Sequence, residues 1–154
     1  MKRAVIFLAT GFFAGYSPLV PGTTGTLVAI PIYFFLSDLS PLYYLAIVLG
    51  SIYVAIWVSG RAEVFLESRD CRHIVIDEIV GFLVAMFMIP PAARNILLGF
   101  FLFRALDIIK PFPIRALEKR LKGGYGVVLD DIMAGIFTNL IMQYLFLFGI
   151  LKGG

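Results

Sequence analysis

Charge is absent from the chain between Ala4 and Ser37, between Leu39 and Gly60, and again between Ile132 and Leu151. The first stretch is broken in the middle by Gly11, Gly15, Pro18, Pro21, Gly22 and Gly25. That pattern predicts a short apolar piece over Ala4–Phe13, an irregular segment over Tyr16–Thr26 and a helix over Leu27–Leu36. Leu39–Gly60 is uncharged for about 22 residues and Ile132–Leu151 for about 20, each enough to cross a hydrocarbon core of about 30 Å. Between them lie two polar stretches, Arg61–Glu78 (with Ala62–Glu67 predicted helical) and Arg104–Asp131, and an apolar run from Ile79 to Phe103. Pro90-Pro91 divides that run into a hairpin of two helices, each short for a separate crossing. Met1-Lys2-Arg3 before apolar residues could open a signal peptide, but no small-x-small cleavage site leads into a polar domain, so the start reads as retained.

The pattern closes into one topology. With the N-terminus cytoplasmic, Leu27–Leu36 goes out, Leu39–Gly60 returns, the Pro90-Pro91 hairpin dips and comes back, and the last helix exits. All of the 13 Lys and Arg except Arg94 and Lys152 then lie inside, the asymmetry expected of cytoplasmic loops. Nearly all carboxylates share that side, with Asp38 the exception. The irregular Tyr16–Thr26 segment falls there too and is expected to line a cavity, since irregular backbone at membrane depth needs protein or water against it.

Composition supports this class. The chain has 154 residues, 60% hydrophobic and 15% charged, with mean hydropathy +0.96, well outside the soluble average. The expected fold is all-α: a compact helical integral membrane protein with short re-entrant or hairpin helices and cytoplasm-facing polar stretches, in one domain over 1–154. A net charge of +3 suits an anionic lipid surface and is no nucleic-acid footprint. The single Cys71 forbids an internal disulfide.

Three acidic clusters face the same compartment: Asp77-Glu78, Asp107 and Asp130-Asp131. Clustered carboxylates where polar chain meets apolar helix repel one another and resist desolvation, and a hard divalent cation such as Mg²⁺ compensates them. The alternative is helix capping by either pair. Arg104, Asp107 and Lys110 follow at i, i+3 and i+6, giving either a surface ion pair or a carboxylate ligand beside phosphate-binding cations. Gly123-Gly124-Tyr125-Gly126 offers a close backbone approach to phosphate or a plain turn. GTTGT at Gly22–Thr26, with the hydroxyls of Thr23 and Thr24 as donors, carries the same two readings. His73 is the only histidine, too few for a histidine phosphatase. Cys71 has Asp77 where a cysteine phosphatase loop needs Arg, and it lacks partners for zinc. Tyr43, Tyr44 and Trp57 are placed for membrane interfaces.

SPLVPGTTGT (Ser17–Thr26), DCRHIVIDEIVG (Asp70–Gly81) and RALDIIKPFPIRALEKRLKGGYGVVLDDIMAG (Arg104–Gly135) together resemble the phosphatidylglycerophosphatase A family of bacteria, in the family's order, from about Gly11 to about Asn139. The resemblance implies a Mg²⁺-dependent enzyme of the bacterial inner membrane. It would remove the terminal phosphate of phosphatidylglycerophosphate, a phospholipid held in the bilayer, at the cytoplasmic face. It places Asp77, Glu78, Asp107, Asp130 and Asp131 in the acidic motifs as metal and catalytic residues, Lys110 and Arg115 in the K-P-x-P-I-R block, and Asp70 beside them. Arg104, Lys110, Arg115, Thr23, Thr24 and Gly124 are the candidates for phosphate binding, and Asp131 or Glu78 for handling a water. Glu63 and Glu67 are not carried over.

Three rivals stand beside this reading. A CDP-dependent lipid phosphotransferase also needs paired aspartates and Mg²⁺, but the D-G-x-x-A-R start of its motif is missing. A small transporter or ion-binding membrane protein would place carboxylates within its helices, whereas Leu39–Gly60 and Ile132–Leu151 contain none. A soluble relative with internally packed apolar helices is the third.

Overall fold

The computed structural model describes residues 1–18, 20–67, 71–115, 123–149 and 151. Asp70 and Lys152, named above, lie outside the described residues, as do Arg69, Lys119, Arg120 and Lys122 of the cations assigned to the inner side. Among those described there are six α-helices and no strand: α1 (Lys2–Ala9), α2 (Pro21–Ser37), α3 (Pro41–Phe65), α4 (Ile76–Ala85), α5 (Ala93–Ile109) and α6 (Gly124–Leu147), with a 3₁₀ turn at Ala14–Tyr16.

The expected elements are present, with three shifts in boundary. α2 begins at Pro21, six residues before Leu27, so GTTGT is helical. Proline at the first helical position costs no hydrogen bond. The hydroxyls of Thr24 and Thr26 bond back to the carbonyls of Pro21 (2.6 Å) and Gly22 (2.9 Å). α3 continues past Gly60 to Phe65, with Arg61 lying over the Trp57 ring. α6 starts at Gly124, eight residues before Ile132, which puts Asp130 and Asp131 inside the helix. Capping is therefore not their role.

α4 is the centre. It is ten residues long, about 15 Å, and packs against α2, α3, α5 and α6. Phe82 and Phe103 meet edge to face within the main core, with Met86, Tyr33 and Met142 around them. A helix this short ends inside apolar surroundings, so its last carbonyls need partners that water cannot supply. Side chains provide them. The Tyr44 hydroxyl donates to Leu83 O (2.7 Å), and the Asn139 amide to Ala85 O (3.0 Å) and Phe87 O (2.7 Å). In the hairpin turn beyond, Tyr33 donates to Ile89 O and Asn95 to Pro90 O.

α3 and α6 are the two helices long and apolar enough to cross a membrane. Only 28% of the most apolar stretch of α3 and 44% of that of α6 is buried, so neither is the mostly buried core helix of a soluble protein. The outward faces carry Leu42, Tyr53, Leu140 and Leu147, and lipid is the solvent that suits them.

Replacing Asn139 with Leu should leave Ala85 O without its partner in an apolar environment and cost about 1–3 kcal/mol. Thermal unfolding in detergent measures this. Leu140→Ala on the exposed flank of the same helix should change stability by less than about 0.5 kcal/mol.

Candidate functional site

On α6 the buried positions Gly124, Val128, Asp131, Gly135, Thr138 and Met142 recur at spacings of four and three, one stripe of the helix. Asp131 lies on that stripe, facing inward. Gly81 of α4 and Gly135 of α6 mark where the two helices touch. A Cβ on Gly81 would lie 2.8 Å from Asp131 O, and one on Gly135 would overlap Gly81 O. Asp77 stands four residues before Gly81 and Asp131 four before Gly135. Each carboxylate is thus one turn from the contact, on the same face as its glycine. The two helices run in the same direction, Asn139 meeting Ala85 O one turn past the glycines, and one turn before them Asp77, Glu78 and Asp131 come together, with ligand oxygens all within 4.8 Å of one another.

Other elements complete the group at the same end of the bundle. α5 brings Arg104 and Asp107, whose Nη1 and Oδ2 pair at 2.6 Å with both side chains largely buried. This is no solvated surface pair. Asp107 in turn neighbours Asp131 and Glu78. Lys110, the C-cap of α5, takes left-handed backbone (φ 46°) and its Nζ reaches Asp130 Oδ2 at 2.5 Å. Gly22, at the start of α2, lets Glu78 Oε1 and Arg104 Nη2 approach its Cα; any side chain there would strike both. Among the described residues, five carboxylates and two cations converge. Full ionisation of these would leave three negative charges uncompensated in a mostly buried place.

Two oxygens show what is missing from that balance: Glu78 Oε2 and Asp130 Oδ1 are buried with no hydrogen-bond partner among the described residues. A carboxylate set with spare lone pairs and excess negative charge fits a divalent cation held by oxygen ligands. Asp77 and Glu78 occupy the first turn of α4, which is too short to span a membrane. Desolvation pushes the Asp77 carboxyl well above its ordinary range, and the Glu78 charge adds to this. Glu78 is also raised by desolvation, with Asp107 adding to the rise and Asp77 and Arg104 opposing it. A bound cation would oppose the rise in both.

Four predicted residues remain. Thr23 is half-buried in the first turn of α2. The Thr24 hydroxyl is directed at the carbonyls of Ala14 (2.8 Å) and Pro21. Arg115 is exposed. Gly124 packs against α3, where a Cβ would overlap Ile56 O. Sequence reasoning gave Gly22 only as part of the GTTGT run and missed Gly81 and Gly135. For the last two a signal is visible: DEIVG and DIMAG repeat an Asp-x-x-x-Gly spacing.

The model of one protein family, phosphatidylglycerophosphatase A, matches residues 7–146. The chain belongs to that family. It is 36% identical over 140 residues to the phosphatidylglycerophosphatase A of Escherichia coli, covering 90% of this chain and 81% of that protein. It is 32% identical to the phosphatidylglycerophosphatase A of Haemophilus influenzae, covering 92% and 88%. A Bacteroides thetaiotaomicron protein named, provisionally, a phosphatidylinositol-3-phosphatase is 34% identical, covering 89% and 90%. No solved structure matches the chain. The matched span of the family model contains all seven converging residues and both contact glycines.

The raised carboxyls carry a pH signature. Between the unfolded carboxyl range, about 4, and the raised folded values, the folded state holds protons that the unfolded chain releases. Stability of the chelated protein should therefore fall as pH rises through that window. A divalent cation added at neutral pH should restore it. Thermal unfolding at several pH values, with and without chelator, tests this. A flat or rising profile in chelator would contradict the cluster's charge excess.

Proposed function

We propose that this protein is a Mg²⁺-dependent lipid phosphatase of the cell inner membrane. It would hydrolyse phosphatidylglycerophosphate to phosphatidylglycerol and phosphate, as a step of phospholipid biosynthesis, with its site at the cytoplasmic face. The observation that carries this is the meeting of Asp77, Glu78 and Asp131 beside the Arg104–Asp107 and Lys110–Asp130 pairs, at one end of a bundle whose α3 and α6 can cross a bilayer. The family match and the names of its relatives supply the substrate class.

Asp77, Glu78 and Asp131 would hold Mg²⁺, with Asp107 and Asp130 close by. The ion when bound supplies charge neutralisation for phosphate and acidity for a coordinated water. The chain's own residues do the rest. Arg104 and Lys110 are held at the site by Asp107 and Asp130 and meet the phosphate oxygens as charge develops on them. Glu78 Oε2, without a hydrogen-bond partner among the described residues, accepts the proton of the attacking water. The acyl chains stay in the bilayer, so only the headgroup needs to reach the end of the bundle.

Phosphate release from purified protein in mixed micelles tests the reading, across a panel that includes phosphatidylglycerophosphate, phosphatidylinositol 3-phosphate and phosphatidic acid. Phosphatidylglycerophosphate should be the preferred substrate. EDTA should abolish release and excess Mg²⁺ restore it. Asp77→Asn, Asp107→Asn and Asp131→Asn should each lower the rate by about 10²-fold or more, ~3 kcal/mol of barrier, in protein that still purifies as a folded species. Near-normal rates in all three variants would overturn the assignment.

A further inference from the structure

Two open cavities follow one another along the seam between α3 and α6, on a flank that none of the seven converging residues lines. The first, about 630 Å³, opens between Trp57, Arg61 and Val64 of α3 and Gly123 and Tyr125 at the start of α6. The second, about 330 Å³, is almost wholly apolar and runs between Val48 and Ile52 of α3, Ile136 and Leu140 of α6, and Phe87 behind them. Ile52, Ile56, Val128 and Ile132 pack as one cluster between the two and give them a continuous apolar floor. From Arg61 back to Leu45, and from Gly124 on to Leu140, each helix rises about 24 Å. One bilayer leaflet with its headgroups is about 20–22 Å deep.

The polarity of the seam matches that of a lipid. Among the described residues its mouth holds one cation: the Arg61 guanidinium lies 5.7 Å from the centre of the Trp57 ring. Among the described residues Arg61 pairs with no carboxylate, and no carboxylate lines either cavity. Trp57 and Tyr125 flank the mouth as half-exposed aromatics, the residue type that settles at headgroup depth. Below them the lining offers only hydrocarbon, the Asn139 amide being committed to Ala85 O and Phe87 O.

We infer that this seam holds one resident anionic phospholipid that is not hydrolysed. Its phosphodiester rests on Arg61, its glycerol region lies between Trp57 and Tyr125, and an acyl chain runs down the seam to Phe87 and Leu140. The lipid ties α3 to the first turn of α6, two turns before Asp131. This rests on the membrane placement proposed above and needs nothing from the hydrolytic reading.

Trp57 is the chain's one tryptophan, so its fluorescence reports on the mouth of the seam alone. The protein is reconstituted in phosphatidylcholine nanodiscs containing increasing fractions of brominated phosphatidylserine or, in parallel, brominated phosphatidylcholine. Quenching by the anionic lipid should reach half its maximum at a mole fraction about fivefold lower, the scale of one cation acting on an anionic lipid. Arg61→Gln should lose this preference and Arg61→Lys keep it. Asp131→Asn should keep it as well, which separates a resident lipid from a reacting one and holds whether or not the protein hydrolyses phosphatidylglycerophosphate. Equal quenching by both lipids, or a preference that survives Arg61→Gln, would overturn the inference. So would a preference lost in Asp131→Asn, which would make the occupant the reacting lipid, or a Trp57 shielded from both lipids, which would mean a second copy of the chain covers the seam.

Discussion

A ten-residue helix packed among four others must satisfy both of its ends without bulk water, and α4 meets that demand in two different ways. At its C-terminal end the exposed carbonyls accept from Tyr44 and Asn139, side chains of α3 and α6. At its N-terminal end the dipole favours negative charge, and Asp77 and Glu78 occupy the first turn. The backbone there is tied in by Val75 N–H donating to Ala9 O (2.8 Å). The hydrogen bonds that let so short a helix stop in an apolar interior also fix where its first turn sits, and with it the carboxylates. Stability and site geometry are therefore two aspects of the same constraint.

Charge explains the surroundings of that first turn. Buried carboxylates on adjacent helices are unfavourable unless something positive joins them. Arg104 and Lys110 answer part of the demand through Asp107 and Asp130, while Glu78 Oε2 and Asp130 Oδ1 keep lone pairs unfilled. An arrangement complete in itself would have paired those atoms. The relatives named for different lipid headgroups have a lipid phosphomonoester in common, and the converging side chains are of the kinds that handle a cation and a phosphate.

Much of this was legible in the chain. Uncharged runs located α3 and α6, Pro90-Pro91 located the hairpin, and the acidic clusters with Arg104 and Lys110 proved to be neighbours in space. Boundaries were harder. Pro21, Gly22 and Gly25 read as breakers, yet Pro21 is tolerated at a helix start and the two glycines allow close approach of Glu78, Arg104 and Val75. Asp130 and Asp131 looked like a helix entrance because charge stops there. Helix continues back to Gly124 because the charged pair faces other protein. The partners of the α4 carbonyls were not legible: Asn139 sits in an apolar run with no local sign of its role, and Tyr44, read from the chain as a membrane-interface aromatic, is instead buried with its hydroxyl on Leu83 O. The placements of Thr24 and Gly124 show a similar limit, since hydroxyls and glycines fit a phosphate cradle and a tight packing contact equally well.

The Gly81–Gly135 contact has a mechanical side. It acts as a fulcrum, and the carboxylates of Asp77 and Asp131 sit on lever arms of a single turn, about 5.4 Å. Rocking one helix on the other by about 10° then moves them apart by only about 1 Å, whereas the far end of α6, more than three turns beyond Gly135, swings by about 3 Å. Helices that tilt to fit bilayers of different thickness could do so about this pivot with little effect on a cation held beside it. A short lever arm makes the ligand spacing tolerant of tilt while leaving it sensitive to the Asp-to-Gly spacing, because one residue more or fewer there would take a carboxylate about 100° round its helix.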